Sequence, residues 1–263
     1  VYFEYVEGCS KGVEMARIGI ITDIHNNAAA LKAILEELEK RKCDEIICCG
    51  DIIGIGAYPE ETVQIMRNLD NLSACVKGNH ETFLFGKMPT TFPNEEHMEY
   101  GERQYHLWEH ERLGEDSVRF LETLSYSQTI EREGRKIYVA HYSMDEQKRY
   151  VNYHQNPTEE QLKKMFEGID ADIILYGHDH VGSVMPGDDA LKRPWYINCG
   201  SLGCPARDKN IARAGILDLE EKIRYESVWI PYDVETVLRD IDLFNFPDKE
   251  NIKQYFYGVE NPQ

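Results

Sequence analysis

Two stretches decide the fold: ARIGIITDIHNN at residues 16–27 and EIICCGDIIG at residues 45–54. Each opens on an apolar run and then breaks into polar residues. Ile18 to Thr22 leads into Asp23, His25, Asn26 and Asn27, and Glu45 to Cys49 leads into Gly50, Asp51 and Gly54. Short apolar runs rich in isoleucine, stopped by polar and glycine residues, read as strands buried on both faces. Between them Leu31, Ile34, Leu35 and Leu38 recur at helical spacing over residues 27–41. The unit then repeats. Val63, Met66 and Leu69 mark a helix over 60–69, and Ser73 to Val76 is a third strand leading into Gly78, Asn79, His80 and Glu81. Strands alternating with helices predict a largely parallel sheet with right-handed crossovers.

The rhythm breaks over residues 82–127, which are acidic and aromatic and read as helices. Strands return at 128–132, 136–140 and 172–176, with a helix at 159–167. Past residue 180 short strands at 181–185, 195–198, 212–219 and 222–230 suggest a second, mostly antiparallel sheet, closed by helices at 234–243 and 250–257. Residues 1–14 fit none of this and read as an N-terminal extension or expression remnant. Residues 15–263 then read as one domain with a cap inserted at about 82–127.

Lys and Arg number 29 and Asp and Glu 47, so the 263-residue chain carries a formal charge of −18. That argues against a protein that coats a nucleic-acid polymer, whose footprint is basic. An anionic substrate stays open, because a bound metal ion reverses the local field. The seven cysteines include no C-x-x-C pair and sit mostly in apolar runs. They read as buried thiols of a reducing, cytoplasmic compartment. No apolar run is long enough for a membrane span.

Polar residues gather where each strand ends. Asp23 and His25, Asp51, Asn79, His141, and His178 with His180 each follow an apolar run. Asp23 to Asp51 and Asp51 to Asn79 are both 28 residues, about one βαβ unit. In open α/β sheets the crevice beyond the carboxyl ends of the strands is where ligands bind. Two carboxylates, one carboxamide and four imidazoles are too many for one tetrahedral zinc ion. They suit two divalent cations sharing a bridging carboxylate, a pair that clamps phosphate and activates water. The mixed N/O set favours manganese, iron, cobalt, nickel or zinc over calcium or magnesium.

The ordered set D-x-H, G-D-x-x-G, G-N-H-E, H and G-H-x-H resembles the calcineurin-like metallophosphoesterases over residues 15–232. Gly54 to Pro59 and Asn198, Cys199, Gly200 and Ser201 make it most similar to the small bacterial and archaeal phosphodiesterase branch. The Arg that protein phosphatases of the superfamily carry after G-D is absent from Gly54 to Pro59. The tail from Pro231 to Phe246 resembles bacterial members that hydrolyse diadenosine tetraphosphate.

The resemblance implies an α/β fold, a four-layer αββα sandwich of two mixed β-sheets flanked by helices with a helical cap. It implies a hydrolase with a binuclear metal centre, manganese first among the metals. Asp23, His25 and His180 would hold one ion, and Asn79, His141 and His178 the other, with Asp51 bridging. His80 would act on the phosphoryl oxygens or the leaving group, oriented by Glu81. Asn27 would position the first loop or the phosphate.

A small-molecule phosphate ester, a nucleotide above all, is the expected substrate, as a phosphodiester or a nucleotide pyrophosphate. A phosphomonoesterase or protein phosphatase, and a scaffold that retains metal, are the alternatives. Lys148, Arg149 and Tyr150 read as lid residues that could meet a distal phosphate or a base. Asn26 replaces the family's usual Gly, Cys199 its usual Pro and Asp179 its usual Thr. His97, His106 and His110 read as a solvated acidic helix face, and Cys199 and Cys204 as packing residues.

Overall fold

The computed structural model describes residues 16–94, 97–204, 211–220 and 222–260. The segment read as an N-terminal extension lies outside them. In chain order the elements are β1 (Ala16–Ile21), α1 (Ala28–Lys40), β2 (Glu45–Cys48), α2 (Pro59–Arg67), β3 (Leu72–Cys75), α3 (Asn79–Thr82, continued by a wide turn Phe83–Lys87), α4 (Tyr100–His110) and α5 (Glu115–Thr123). There follow β4 (Ser127–Arg132), β5 (Arg135–Ala140), α6 (Glu159–Met165), β6 (Ile173–Tyr176), β7 (Ser183–Met185), β8 (Trp195–Asn198), β9 (Ile211–Leu219), β10 (Ile223–Pro231), α7 (Val234–Phe244) and α8 (Lys249–Tyr257).

Two mixed five-stranded sheets result, ordered β10-β9-β1-β2-β3 and β4-β5-β6-β8-β7. In the first, β1, β2 and β3 are parallel, with Ile20 beside Ile47 and Cys48 beside Cys75. The late strands do not form one antiparallel sheet of their own. β9 and β10 pair as a hairpin on the free edge of β1, while β7 and β8 join the second sheet, whose centre β5-β6-β8 is parallel. Period-two patterning identifies a strand but not its partner, so the two edges were not separable by sequence.

Alternation along each strand builds the layers. Ile18, Ile20, Ile47, Cys49 and Val76 turn toward Ile137, Val139, Ile173, Leu175 and Ile197, forming a core between the sheets. Their neighbours Ile21, Ile46, Cys48 and Cys75 turn outward onto residues of α1, α2, α4, α5, α7 and α8. Ile174, Tyr176 and Tyr196 face outward onto Leu162 and Met165 of α6. Each fully buried isoleucine here contributes about 1.5–3 kcal/mol by leaving water. The parallel strands of both sheets end on one side of the sandwich, and this is where the polar loops meet.

Candidate metal centre

The loops that leave β1 and β2 lock together before any ligand is considered. Asp23 N, Ile24 N, His25 N and Asn26 N donate to the carbonyls of Gly50, Asp51, Asp51 and Ile52 at 2.8–3.0 Å. Asp23, His25, Asn26, Asp51, His178 and His180 all hold left-handed backbone, φ 50–76°. Such conformations cost about 1–3 kcal/mol each and collect at functional sites. Asn at position 26 adopts the turn that a Gly would, with φ 52°.

The donor atoms then fall into two groups. In one, His25 Nε2 lies 2.9 Å from His180 Nε2, 3.7 Å from Asp23 Oδ1 and 3.9 Å from Asp51 Oδ2, and His180 Nε2 lies 3.5 Å from Asp23 Oδ1. In the other, His178 Nδ1 lies 3.0 Å from Asn79 Oδ1 and 3.3 Å from His141 Nε2, itself 3.2 Å from Asp51 Oδ2. Ligand atoms about 2.1 Å from one cation sit ~3.0 Å apart at right angles and ~3.4 Å apart at tetrahedral angles. The second group fits that spacing; in the first, His25 Nε2 and His180 Nε2 are at it while His25 stands wider from the two carboxylates, at 3.7 and 3.9 Å, and Asp51 Oδ2 borders both.

The outer contacts point the lone pairs inward. His25 Nδ1 lies 3.2 Å from Ile53 O and His141 Nδ1 lies 2.9 Å from Cys49 O. An N–H spent on each carbonyl leaves Nε2 free to bind a cation. Thr22 Oγ1 donates to Asp23 Oδ2 at 2.7 Å, and His178 N donates to both Asp23 oxygens at 3.1 Å. Tyr150 stands against His141 and His178, with ring centroids 5.6 and 6.0 Å away, and its hydroxyl donates to Lys77 O.

Burial works against charge on Asp51, but the His141 and His80 rings outweigh it and hold the carboxyl well below its usual range. Burial also opposes charge on His141, yet Asp51 outweighs it and lifts the ring to about 10. Burial, then His141, pulls His178 down to about 3. Burial pulls His180 to about 4. Those two rings are neutral at neutral pH and offer their lone pairs directly.

His80 is buried beside this set, with Nε2 3.8 Å from Asp51 Oδ2 and its backbone N–H donating to Asp51 Oδ1. Gly54, at φ +96°, makes room for it: a Cβ there would lie 2.3 Å from His80 Nδ1. Glu81, read as orienting His80, has no hydrogen bond to that ring among those of the described residues. Its carboxylate accepts instead from the N–H groups of Asp51, Ile52, Ile53 and Gly78 at 2.6–3.1 Å, tying the ends of β2 and β3 together. Burial and the Asp51 charge push the Glu81 carboxyl up to about 7 against those donors.

Asn27 caps α1 through Ala30 N and donates to Gly203 O, so its polar atoms are spent on the first loop. Lys148 and Arg149 do not reach the site. Arg149 pairs with Asp145 on the surface, and the Lys148 carbonyl accepts from Lys87. Asp179 Oδ1 accepts from Val181 N and Asn198 Nδ2, which fixes the turn between His178 and His180.

A cavity of about 290 Å³ opens over Asp51, Asn79, His80, His178 and His180. α4 walls one side with Glu102, Tyr105 and His106, and α8 the other with Asn251, Tyr255 and Phe256. No Lys or Arg is among the described residues that line it. A larger groove of about 560 Å³ lies at the opposite ends of β2 and β3, near Cys43 and Asn71, and has no imidazole in its lining.

Of the histidines read as a solvated helix face, His97 is exposed ahead of α4 and His110 is partly buried, but His106 is not solvated. His106 and Glu109 are fully buried, with His106 Nδ1 3.0 Å from Glu109 Oε2. Glu109 Oε1 accepts from Asn26 Nδ2 and Gly54 N, so one carboxylate reaches the loops of His25 and Asp51. Sequence offered only one hint, His106 and Glu109 three apart on a helix. Cys204 is buried with its thiol among the His25 and His180 donors.

Paired donor sets at the strand ends of a two-sheet α/β sandwich define a metal-binding hydrolase of phosphate esters. Residues 16–222 match the calcineurin-like phosphoesterase superfamily domain, and the chain belongs to that superfamily. It is 28% identical over 242 residues to the uncharacterized protein MJ0912 of Methanocaldococcus jannaschii, spanning 88% of this chain and 94% of that one. The fold is similar to that of a metallophosphoesterase from Sphaerobacter thermophilus, with TM-score 0.71 and 23% identity over 93% of this chain and all of that one. It is also similar to hypothetical protein PH1004 from Pyrococcus horikoshii OT3, with TM-score 0.75 and 18% identity over 93% and 99% of the chains. Divalent metals are used across this family, and the donor groups above are suited to them.

Proposed function

We propose that this chain hydrolyses phosphodiesters with two divalent cations, manganese first among them. Asp23, His25 and His180 hold one and Asn79, His141 and His178 the other. Asp51 bridges them, and the observation that carries this is its Oδ2 atom, 3.2 Å from His141 Nε2 and 3.9 Å from His25 Nε2. When bound, such a pair neutralises phosphoryl charge and lowers the pKa of the attacking water. The chain supplies the rest. His80 faces the phosphoryl oxygens, Tyr150 and the Glu81 clamp hold the ligand loops, and α4 and α8 narrow the access of water.

The described lining of the cavity brings no basic side chain to meet further phosphates. Tyr255 and Phe256 form a surface on which a base can stack, so a nucleotide ester is the first substrate to try. The free thiols of Cys43, Cys48, Cys49, Cys75, Cys199 and Cys204 accord with a reducing cytoplasm. No helix among the described residues is long and apolar enough to cross a membrane.

The test is hydrolysis of bis(p-nitrophenyl) phosphate and p-nitrophenyl phosphate by the manganese-loaded protein. A diester kcat/KM at least tenfold above the monoester is expected. The reverse order would mark a phosphomonoesterase. A loaded protein inert toward both would mark a scaffold.

A further inference from the structure

His106, like His80, is a buried imidazole of the cavity wall that neither proposed cation seat uses. Its ring lies 5.0 Å from the His80 ring and 5.2 Å from Phe83. Glu109 Oε2 holds Nδ1 at 3.0 Å, which leaves Nε2 as the N–H on the far side of the ring from Glu109. Nε2 is buried without a hydrogen-bond partner, and the nearest carboxylate oxygen, Glu102 Oε1, is 3.9 Å away. Both Glu102 and His106 line the cavity that exposes Asp51 and Asn79. Glu109 is itself anchored on Gly54 and Asn26, so the dyad and the cation seats share one rigid frame.

The geometry points to His106 as the proton donor to the leaving oxygen, and to esters of unactivated alcohols as the substrates it serves. This rests on the phosphodiesterase reading and sharpens it. As water adds to phosphorus and the P–O bond to the alcohol breaks, Nε2–H passes its proton to the departing oxygen. The alcohol leaves neutral, and the proton shed by the water returns to solvent, from which His106 is recharged. His80 keeps the phosphoryl-oxygen side.

An alkoxide is strongly basic and needs that proton, whereas a phosphate leaving a phosphoanhydride does not. Burial opposes a charge on His106, but Glu102 and Glu109 outweigh it and lift the ring to about 9, so it carries its proton at neutral pH.

The experiment compares methyl p-nitrophenyl, methyl phenyl and methyl benzyl phosphate with the manganese-loaded protein. General acids contribute roughly 10²–10⁴-fold, so His106→Asn should cost about 100-fold or more on the benzyl ester and only a few-fold on the nitrophenyl ester. Glu109→Gln should follow the same order. If His106→Asn lowers the melting temperature sharply, the leaving-group ratio is read on His106→Gln instead. Equal losses on all three esters would overturn the assignment and leave the phosphodiesterase reading standing. A wild-type protein that cleaves none of them would overturn both.

Discussion

Asp51 Oδ2 and His141 Nε2 lie 3.2 Å apart, although Asp51 follows β2 of one sheet and His141 follows β5 of the other. The site is therefore a seam between the sheets. His141 fixes this approach from behind, with Nδ1 2.9 Å from Cys49 O beside Asp51. A Cβ on Gly78 would lie 2.0 Å from Asp51 Oδ1, so the β3 loop also closes on that carboxylate.

Asp51→Asn removes the charge shared by both seats and keeps the shape. Metal content by elemental analysis should fall at both seats, and diester turnover should drop about 100-fold or more, with an unchanged far-ultraviolet spectrum. Full retention of two equivalents of metal would contradict the bridging role.

Metal affinity should rise with pH. Without metal, the His141 ring is raised from its ordinary 6.5 to about 10. Its contribution to stability is then complete below about 6.5 and lost as pH climbs through about 10. A cation must displace that proton, so affinity should increase ~10-fold per unit between pH 7 and 9. Calorimetry in buffers of different ionisation enthalpy should count about one proton released from this ring. No released proton at pH 7.5 would refute it.

Gly54→Ala should damage the site twice. The residue sits at φ +96°, and the new methyl would meet His80 Nδ1 at 2.3 Å. We expect a loss of about 1–3 kcal/mol together with reduced diester turnover. Gly134→Ala is the control. It too has positive φ, +70°, but open space around it, so it should lose stability alone. Similar turnover for the two variants would remove the steric argument.

Glu81→Gln should destabilise the fold rather than act only on turnover. Its carboxylate serves four backbone N–H groups, and a carboxamide offers one acceptor oxygen and two unwanted donors. A loss of at least about 2 kcal/mol, a melting temperature ~4–8 °C lower, is expected. An unchanged melting temperature with reduced turnover would restore an orienting role toward His80.

The sequence by itself determined the βα rhythm of the first half and the carboxylate, amide and imidazole residues at the strand ends. Both are local properties: an isoleucine-rich run predicts a buried strand, and the polar residues that stop it predict a loop. Asp23, His25, Asp51, Asn79, His141, His178 and His180 were all legible this way, and the structure brings them together.

Tertiary structure alone decided the rest. Which edge receives β9 and β10 depends on pairing between residues about 200 positions apart, such as Ile20 with Gly215, and strand pattern carries no address for that. Glu109 looks like any exposed helical glutamate until α4 docks on the Asn26 and Gly54 loops and removes it from water. Lys148 and Arg149, basic and shortly after β5, are instead exposed, with Arg149 paired to Asp145 and neither lining the cavity. Burial and long-range pairing are properties of the assembled layers, so no local reading supplies them.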